Sequence, residues 1–224
     1  MKALVFDTSS IISIITNDLL NVLVKLKEKF DGEFYITKAV KNELIDYPMQ
    51  SKRFKLEALV LEKFLNDKQI NLYYKQELEQ KSKELLDIAN NIFMADNNYI
   101  RITHKGEMES LCLCIILDAI FVVDERTIRI LVENYKNLRR LLESKLHTKV
   151  GVNEKNLKLF LNEVKNIKVI RSSELMTVAF ELGLFKEYKN KKELLDGLLW
   201  GLRLRGCAIS TDEINEIEEL ENRK

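Results

Sequence analysis

Short apolar runs recur along the chain, each closed by a polar or acidic residue, and longer stretches with helical spacing lie between them. Runs bounded in this way predict buried strands over 2–7, 34–37, 70–74, 120–123 and 167–170. The second of these follows Asp31-Gly32, a turn pair. Periodic apolar positions predict helices over 10–30, 38–46, 52–66, 76–94, 106–117 and 125–146, with Pro48 breaking the second. Beyond about residue 172 only helices are expected, near 173–182, 191–204 and 211–222. Ser210 or Thr211 can cap the last of them, with Glu213 or Glu216 nearby. Strands that alternate with helices pair in parallel and are covered on both faces, so the expected class is α/β. There is no internal repeat and no composition break that would mark a linker.

Composition narrows this picture. At 224 residues and 46% hydrophobic, the chain can bury one sizeable core, or a core with a small appendage. No apolar run reaches the length of about eighteen residues needed to cross a membrane, so no span is expected. The N-terminus lacks the basic-apolar-small pattern of a secretory leader, and a cytoplasmic protein is expected. Three cysteines, Cys112, Cys114 and Cys207, make no disulfide framework, which suits a reducing compartment. Cys112 and Cys114 are too close in sequence for a usual zinc knuckle, and two His cannot complete a zinc site, so packed thiols are expected. A net charge of +1 neither indicates nor excludes a nucleic-acid partner, because the distribution of charge decides that.

The acids carry the candidate chemistry. Asp7 closes the run Ala3-Leu4-Val5-Phe6 and is followed by Thr8, Ser9 and Ser10; Asp124 stands in the same relation to the run 120–123. In a parallel sheet both carboxylates lie at the carboxyl edge, where ligands of open α/β sheets bind. Glu43 lies on the helix after the second strand, and Glu107 follows Lys105-Gly106 at the start of an apolar helix, where the helix dipole favours an acid. Each acid has a plain structural alternative: Asp7 and Asp124 as helix caps, Glu43 as a solvated surface acid, Glu107 and Glu109 as first-turn acids. Four carboxylates converging without His or Cys would make an oxygen-only site, the chemistry of Mg²⁺ or Mn²⁺. Such ions activate water and stabilise a phosphate under in-line attack. No Gly-rich phosphate loop and no nucleophile elbow competes with this reading. Asp96 reads as a loop acid and Asp118 as a turn acid before the strand 120–123.

In order and spacing, four segments resemble the PIN-domain nucleases. They are Leu4-Val5-Phe6-Asp7-Thr8-Ser9, Tyr35-Ile36-Thr37-Lys38-Ala39-Val40-Lys41-Asn42-Glu43, His104-Lys105-Gly106-Glu107-Met108-Glu109-Ser110-Leu111 and Val122-Val123-Asp124-Glu125-Arg126. The segments Tyr47-Pro48 with Lys52-Arg53-Phe54, and Ile170-Arg171-Ser172-Ser173-Glu174-Leu175, are similar to a longer archaeal-type branch of that family. The resemblance implies a three-layer α/β/α nuclease domain over 1–171, with a helical extension over 172–224. It also implies Mg²⁺- or Mn²⁺-dependent cleavage of single-stranded RNA. Asp7, Glu43, Glu107 and Asp124 match the family's catalytic, metal-binding acids, and Ser9 matches a small polar residue beside the first. The family's third acid is often Asp; here Glu107 stands there, with Glu109 as a possible substitute. Residues two apart on a helix point in different directions, so one of the two is expected to face the metal, and Glu107 is preferred for its distance to Asp124. The chain is longer than the compact toxin members of the family.

RNA requires cationic contacts to phosphate. Lys105, Arg126 and Arg129 are the nearest candidates, with Lys52, Arg53, Arg139 and Arg140 further off and Tyr47 and Tyr99 available to stack on bases. For each of these a solvated or packed surface position is the simpler alternative. The stripe Leu194, Leu195, Leu198, Leu199, Trp200 and Leu202 is expected either to pack onto the domain or to form a homodimer or partner surface.

Overall fold

The structure, a computed structural model, describes residues 2–222. Its elements run β1 (Ala3–Phe6), α1 (Thr8–Thr16), α2 (Leu20–Phe30), β2 (Glu33–Thr37) and α3 (Lys38–Lys41). A π-helical turn (Asn42–Asp46) leads into α4 (Tyr47–Met49), α5 (Lys55–Asn66), β3 (Asn71–Tyr73) and α6 (Gln76–Asn90). Then follow β4 (Phe93–Ala95), β5 (Asn98–Tyr99), α7 (Lys105–Leu117), β6 (Ile120–Val122), α8 (Arg126–Leu146) and β7 (Gly151–Val152). The described chain closes with α9 (Glu154–Val164), β8 (Lys168–Ile170), α10 (Ser172–Glu181), α11 (Lys191–Leu204) and α12 (Thr211–Asn222).

Five strands form one sheet in the order β3-β2-β1-β6-β8, every pair parallel, with helices on both faces: the expected α/β class in three layers. The chain fills the sheet on one side of β1 and then returns to the other. The switch point therefore falls between β1 and β6, the kind of edge at which a crevice opens. Phe6 pairs with Val122, so Asp7 and Asp124 follow neighbouring strands out of the same edge.

Alternation along β1 divides the core. Leu4 and Phe6 face one layer with Phe34, Ile36 and Val122, packed by α1 and α2. Ala3 and Val5 face the other with Phe121 and Val123, packed by α6, α7 and α9. The C-terminal helices join the first layer: Leu175, Met176, Leu195, Leu198, Leu199, Leu202 and Ile214 lie in one cluster with Leu4 and Phe6. Those leucines of the C-terminal stripe are core, with Leu194 and Trp200 partly buried against them. Buried Arg171 fastens this layer to the sheet edge, pairing with Glu174 and Glu213 and donating to the Ala208 carbonyl. Against burial, which lowers it, the two carboxylate partners together hold the guanidinium pKa above its already high value.

Several boundaries depart from the periodicity. The helix expected over 10–30 is two helices bent by 119°, because Asp18 takes a left-handed φ of 57° after Asn17 ends α1. Pro48 does not stop the helix it enters. It occupies the first turn of α4, where its missing N–H costs nothing, and the chain leaves the helix only after Met49. The helix expected to reach residue 94 ends at Asn90, and Phe93–Ala95 pairs instead with β5 and β7 in a small antiparallel sheet. Asp96 and Asn97, at φ 48° and 62°, form the two-residue turn between β4 and β5, a conformation that suits these residue types. Asp118, at φ 49°, ends α7 in the left-handed region. Helix α9 was not foreseen; Asn153 caps it by accepting from the Asn156 N–H. Ser210 and Glu213 exchange the two bonds of a capping box at the start of α12. Among the described residues, no single helix is long and apolar enough to cross a membrane.

Candidate functional site: an acidic crevice at the sheet edge

Asp7 is placed by β1 and finished by α1. The strand ends, Asp7 stays extended at ψ 162°, and its Oδ2 accepts from the Ser9 N–H at 3.1 Å, so Asp7 is the helix cap. Ser9 Oγ donates to the same oxygen at 2.8 Å. The other oxygen, Oδ1, is buried with no hydrogen-bond partner. Asp7 is thus a cap through one oxygen and an open acceptor through the other. A buried orphan of this kind is costly and calls for an explanation. Burial, with the negative charge of Glu107 beside it, pushes the Asp7 carboxyl up to about 7, against the lowering effect of its Ser9 bonds.

Glu107 is also buried, and Thr103 Oγ1 donates to its Oε2 at 2.7 Å. That oxygen also accepts from the His104 N–H at 3.2 Å at the start of α7. Glu43 comes from the π-helical turn and accepts from Thr8 Oγ1 at 2.5 Å. Gly106 lets it come close, for a Cβ at that position would lie 2.7 Å from Glu43 Oε1. His104 lies between the two glutamates, its Nε2 at 3.0 Å from Glu107 Oε1 and its Nδ1 at 3.9 Å from Glu43 Oε1. The bond to Glu107, with the charges of Glu107, Glu43 and Asp7, raises the His104 pKa to about 9, so the ring is a cation at neutral pH.

Asp124 is fully buried and differently engaged. The Ser172 N–H donates to its Oδ1 at 2.7 Å, and Ser172 Oγ donates to its Oδ2 at 2.6 Å. It is not the cap of α8; Glu125 is, accepting from the Ile128 N–H at 2.9 Å. Ser9 ties the two strand ends together, since its Oγ accepts from the Asp124 and Glu125 N–H groups while donating to Asp7.

The sequence expected an oxygen-only quartet. The crevice instead joins Asp7, Glu43 and Glu107 around the His104 imidazolium, with Asp124 alongside and held by Ser172. Among the described residues, no three His, Cys, Asp or Glu side chains stand at metal-binding spacing. Comparison with known protein families, curated proteins and solved structures finds no match.

The donor set nevertheless suits a hard cation. Among the described residues, Asp7 Oδ1 has no partner, and the Oε1 atoms of Glu43 and Glu107 meet His104 alone. Glu109 faces elsewhere, accepting from the Ala39 N–H at 2.9 Å and pairing with Lys105 at 3.5 Å. This is the divergence expected of residues two apart on a helix.

The cations are distributed unevenly. Arg126 is exposed at the start of α8, whereas Arg129 is mostly covered, bound to Glu133, and has a buried Nε without a partner. Arg139 pairs with Glu143, Arg140 is exposed, and Lys52 and Arg53 lie on the surface before α5 with Arg53 over the Phe54 ring. Tyr47 and Tyr99 are exposed. All three cysteines are free and buried, and burial lifts Cys112 to about 12 and Cys207 to about 11, as expected of packed thiols.

Thr8, Thr103, His104 and Ser172 were not singled out from the sequence. His104 carried a signal, since it directly precedes Lys105-Gly106-Glu107. Ser172 lies in the segment 170–175 quoted for the resemblance, but its bond to Asp124, 48 residues away, had no local signal.

Proposed function

We propose that the chain is a metal-dependent endoribonuclease of the PIN-domain type, cutting single-stranded RNA at the acidic crevice. The observation that supports this most is the partnerless, buried Asp7 Oδ1 at the sheet's switch point, beside Glu107 and Glu43. Asp7, Glu43 and Glu107 would hold Mg²⁺ or Mn²⁺, with Asp124 closing the crevice. A bound divalent ion supplies Lewis-acid stabilisation of the phosphodiester under attack. The chain's own part is to fix the acids: Ser9 and Thr8 orient Asp7 and Glu43, and Thr103 orients Glu107. His104 places a positive charge beside the acids to attract the phosphate. Three buried free thiols accord with a cytoplasmic setting.

A second reading is a catalytically weak module that binds RNA or a protein partner. It is favoured by the His104 cation, which already pairs with Glu107 and approaches Glu43, and by Ser172, which already satisfies Asp124. Incubation with labelled single-stranded RNA and Mn²⁺, beside Asp7→Asn, separates the two. The nuclease reading expects cleavage that falls about a hundredfold or more in the variant. Equal cleavage by both chains, or none by either, defeats it.

A further inference from the structure

We propose that the cleft between β3 and α7 is the binding track for a single-stranded polynucleotide, holding phosphates on Lys38, Lys75 and Lys105 and a base on Tyr74. The proposal rests on reading the acidic crevice as a phosphodiester-cleaving site. The cleft has a volume of about 130 Å³, and its walls include Asn42 and Lys105, the sequence neighbours of Glu43 and His104.

The arrangement combines the two features that sequence-tolerant single-strand binding uses, a cationic groove and an aromatic platform. Tyr74 directly follows edge strand β3 and is 57% exposed. The Lys38 ammonium lies 4.4 Å from its ring centroid. Lys75 lies 5.4 Å from the ring centroid of Tyr73, which itself packs edge-on against Tyr35. Tyr73, the last residue of β3, thereby ties the start of the following Tyr74-Lys75 segment to the sheet. Two acids share the cleft, and each has a cation of its own: Glu109 pairs with Lys105, and Glu79 with Lys83 at 3.3 Å. Neither Lys38 nor Lys75 makes an ion pair within 4.0 Å among the described residues, although Glu79 also feels the charge of Lys38. A strand lying here would carry its next phosphate towards Glu43 and Asp7. An exposed ring such as Tyr74 can stack on the base of an unpaired strand, whereas the bases of a duplex are stacked inward.

The test is fluorescence anisotropy with a labelled oligouridine RNA, the matching single-stranded DNA and a duplex RNA. It uses the full chain carrying Asp7→Asn, in EDTA, so that nothing is cut. Tyr74→Leu is expected to weaken single-strand binding about tenfold without changing its salt dependence. Lys38→Ala with Lys75→Ala is expected to weaken it and to lower the slope of log K against log salt by about 1.4, at about 0.7 per lost phosphate contact. Lys189→Ala with Lys192→Ala, on exposed residues by α11 across the sheet, should change neither. The RNA and DNA arms tell which sugar the track prefers. Binding that is unchanged in the cleft variants, as tight for duplex as for single strand, or absent from the starting chain overturns the proposal. If the unmodified chain binds through the cleft yet does not cleave with Mn²⁺, the nuclease reading fails and the track stands. If it cleaves while the cleft variants bind normally, the reverse holds.

Discussion

Ser172 donates both its backbone N–H and its hydroxyl to Asp124, one to each carboxylate oxygen, at 2.7 and 2.6 Å. The first residue of α10 thereby satisfies a fully buried acid at the end of β6, while Asp7 at the end of β1 keeps one oxygen unbonded. Two acids that look equivalent along the chain have different tasks in the fold. Asp124 anchors the C-terminal helices, and Asp7 keeps an unused acceptor oxygen.

Ser172→Ala removes the hydroxyl and leaves Asp124 Oδ2 buried with no donor in its place. The expected cost is about 1–3 kcal/mol in urea denaturation, the range for a buried group stripped of its partner. Hydrogen exchange should quicken first in α10, whose N-terminus the bond holds. A loss below about 0.3 kcal/mol would show that Asp124 does not depend on this hydroxyl.

Asp7→Asn should stabilise the metal-free chain, and the gain should grow with pH. In the fold the Asp7 carboxyl sits at about 7, against 3.8 ordinarily. Between those values the folded chain keeps a proton that the unfolded chain has released, so the native contribution falls as pH rises. By pH 8 the difference amounts to about 4 kcal/mol at most. His104 adds a loss of the same sign between 6.5 and about 9, reduced by the water around its half-exposed ring. Urea midpoints for both chains at pH 4, 6 and 8 in EDTA check this. Parallel curves would mean that Asp7 titrates normally.

Mn²⁺ should raise the melting temperature of the native chain by relieving the repulsion between Asp7 and Glu107. An ion at about a hundred times its Kd adds about 2.7 kcal/mol. Asp7→Asn should lose most of the shift. A melting curve that does not respond to millimolar Mn²⁺ counts against the site.

Gly106→Ala separates site geometry from stability. The new methyl would meet Glu43 Oε1, the far end of a flexible side chain, so Glu43 can turn aside at small cost. Alanine also favours α7 by up to about 1 kcal/mol. Global stability should therefore change by less than about 1 kcal/mol, while the Mn²⁺ shift and RNA cleavage fall. If both survive intact, Glu43 takes no part.

Period-2 and period-3.6 patterns are local, and wherever they were strong they located the element. The runs ending at Phe6 and Val122 and the apolar stretch of α7 were all legible in this way. Breaks made by backbone conformation were harder to read: Asp18 bends a continuous apolar pattern, and β4 is a strand because β5 and β7 pair with it. Asp7, Glu43, Glu107 and Asp124 were legible as acids near strand or helix ends, because a strand's end is written in its own residues. Their partners were not, since a contact across 48 residues, such as Asp124 with Ser172, depends on how the chain closes. The sequence by itself determined the class of fold and which acids reach the crevice edge. Only the tertiary structure decided that Asp7 keeps an open oxygen, that Glu109 turns away to cap α3, and that His104 enters the crevice. Burial and charge act through distances in space, which spacing along the chain does not record.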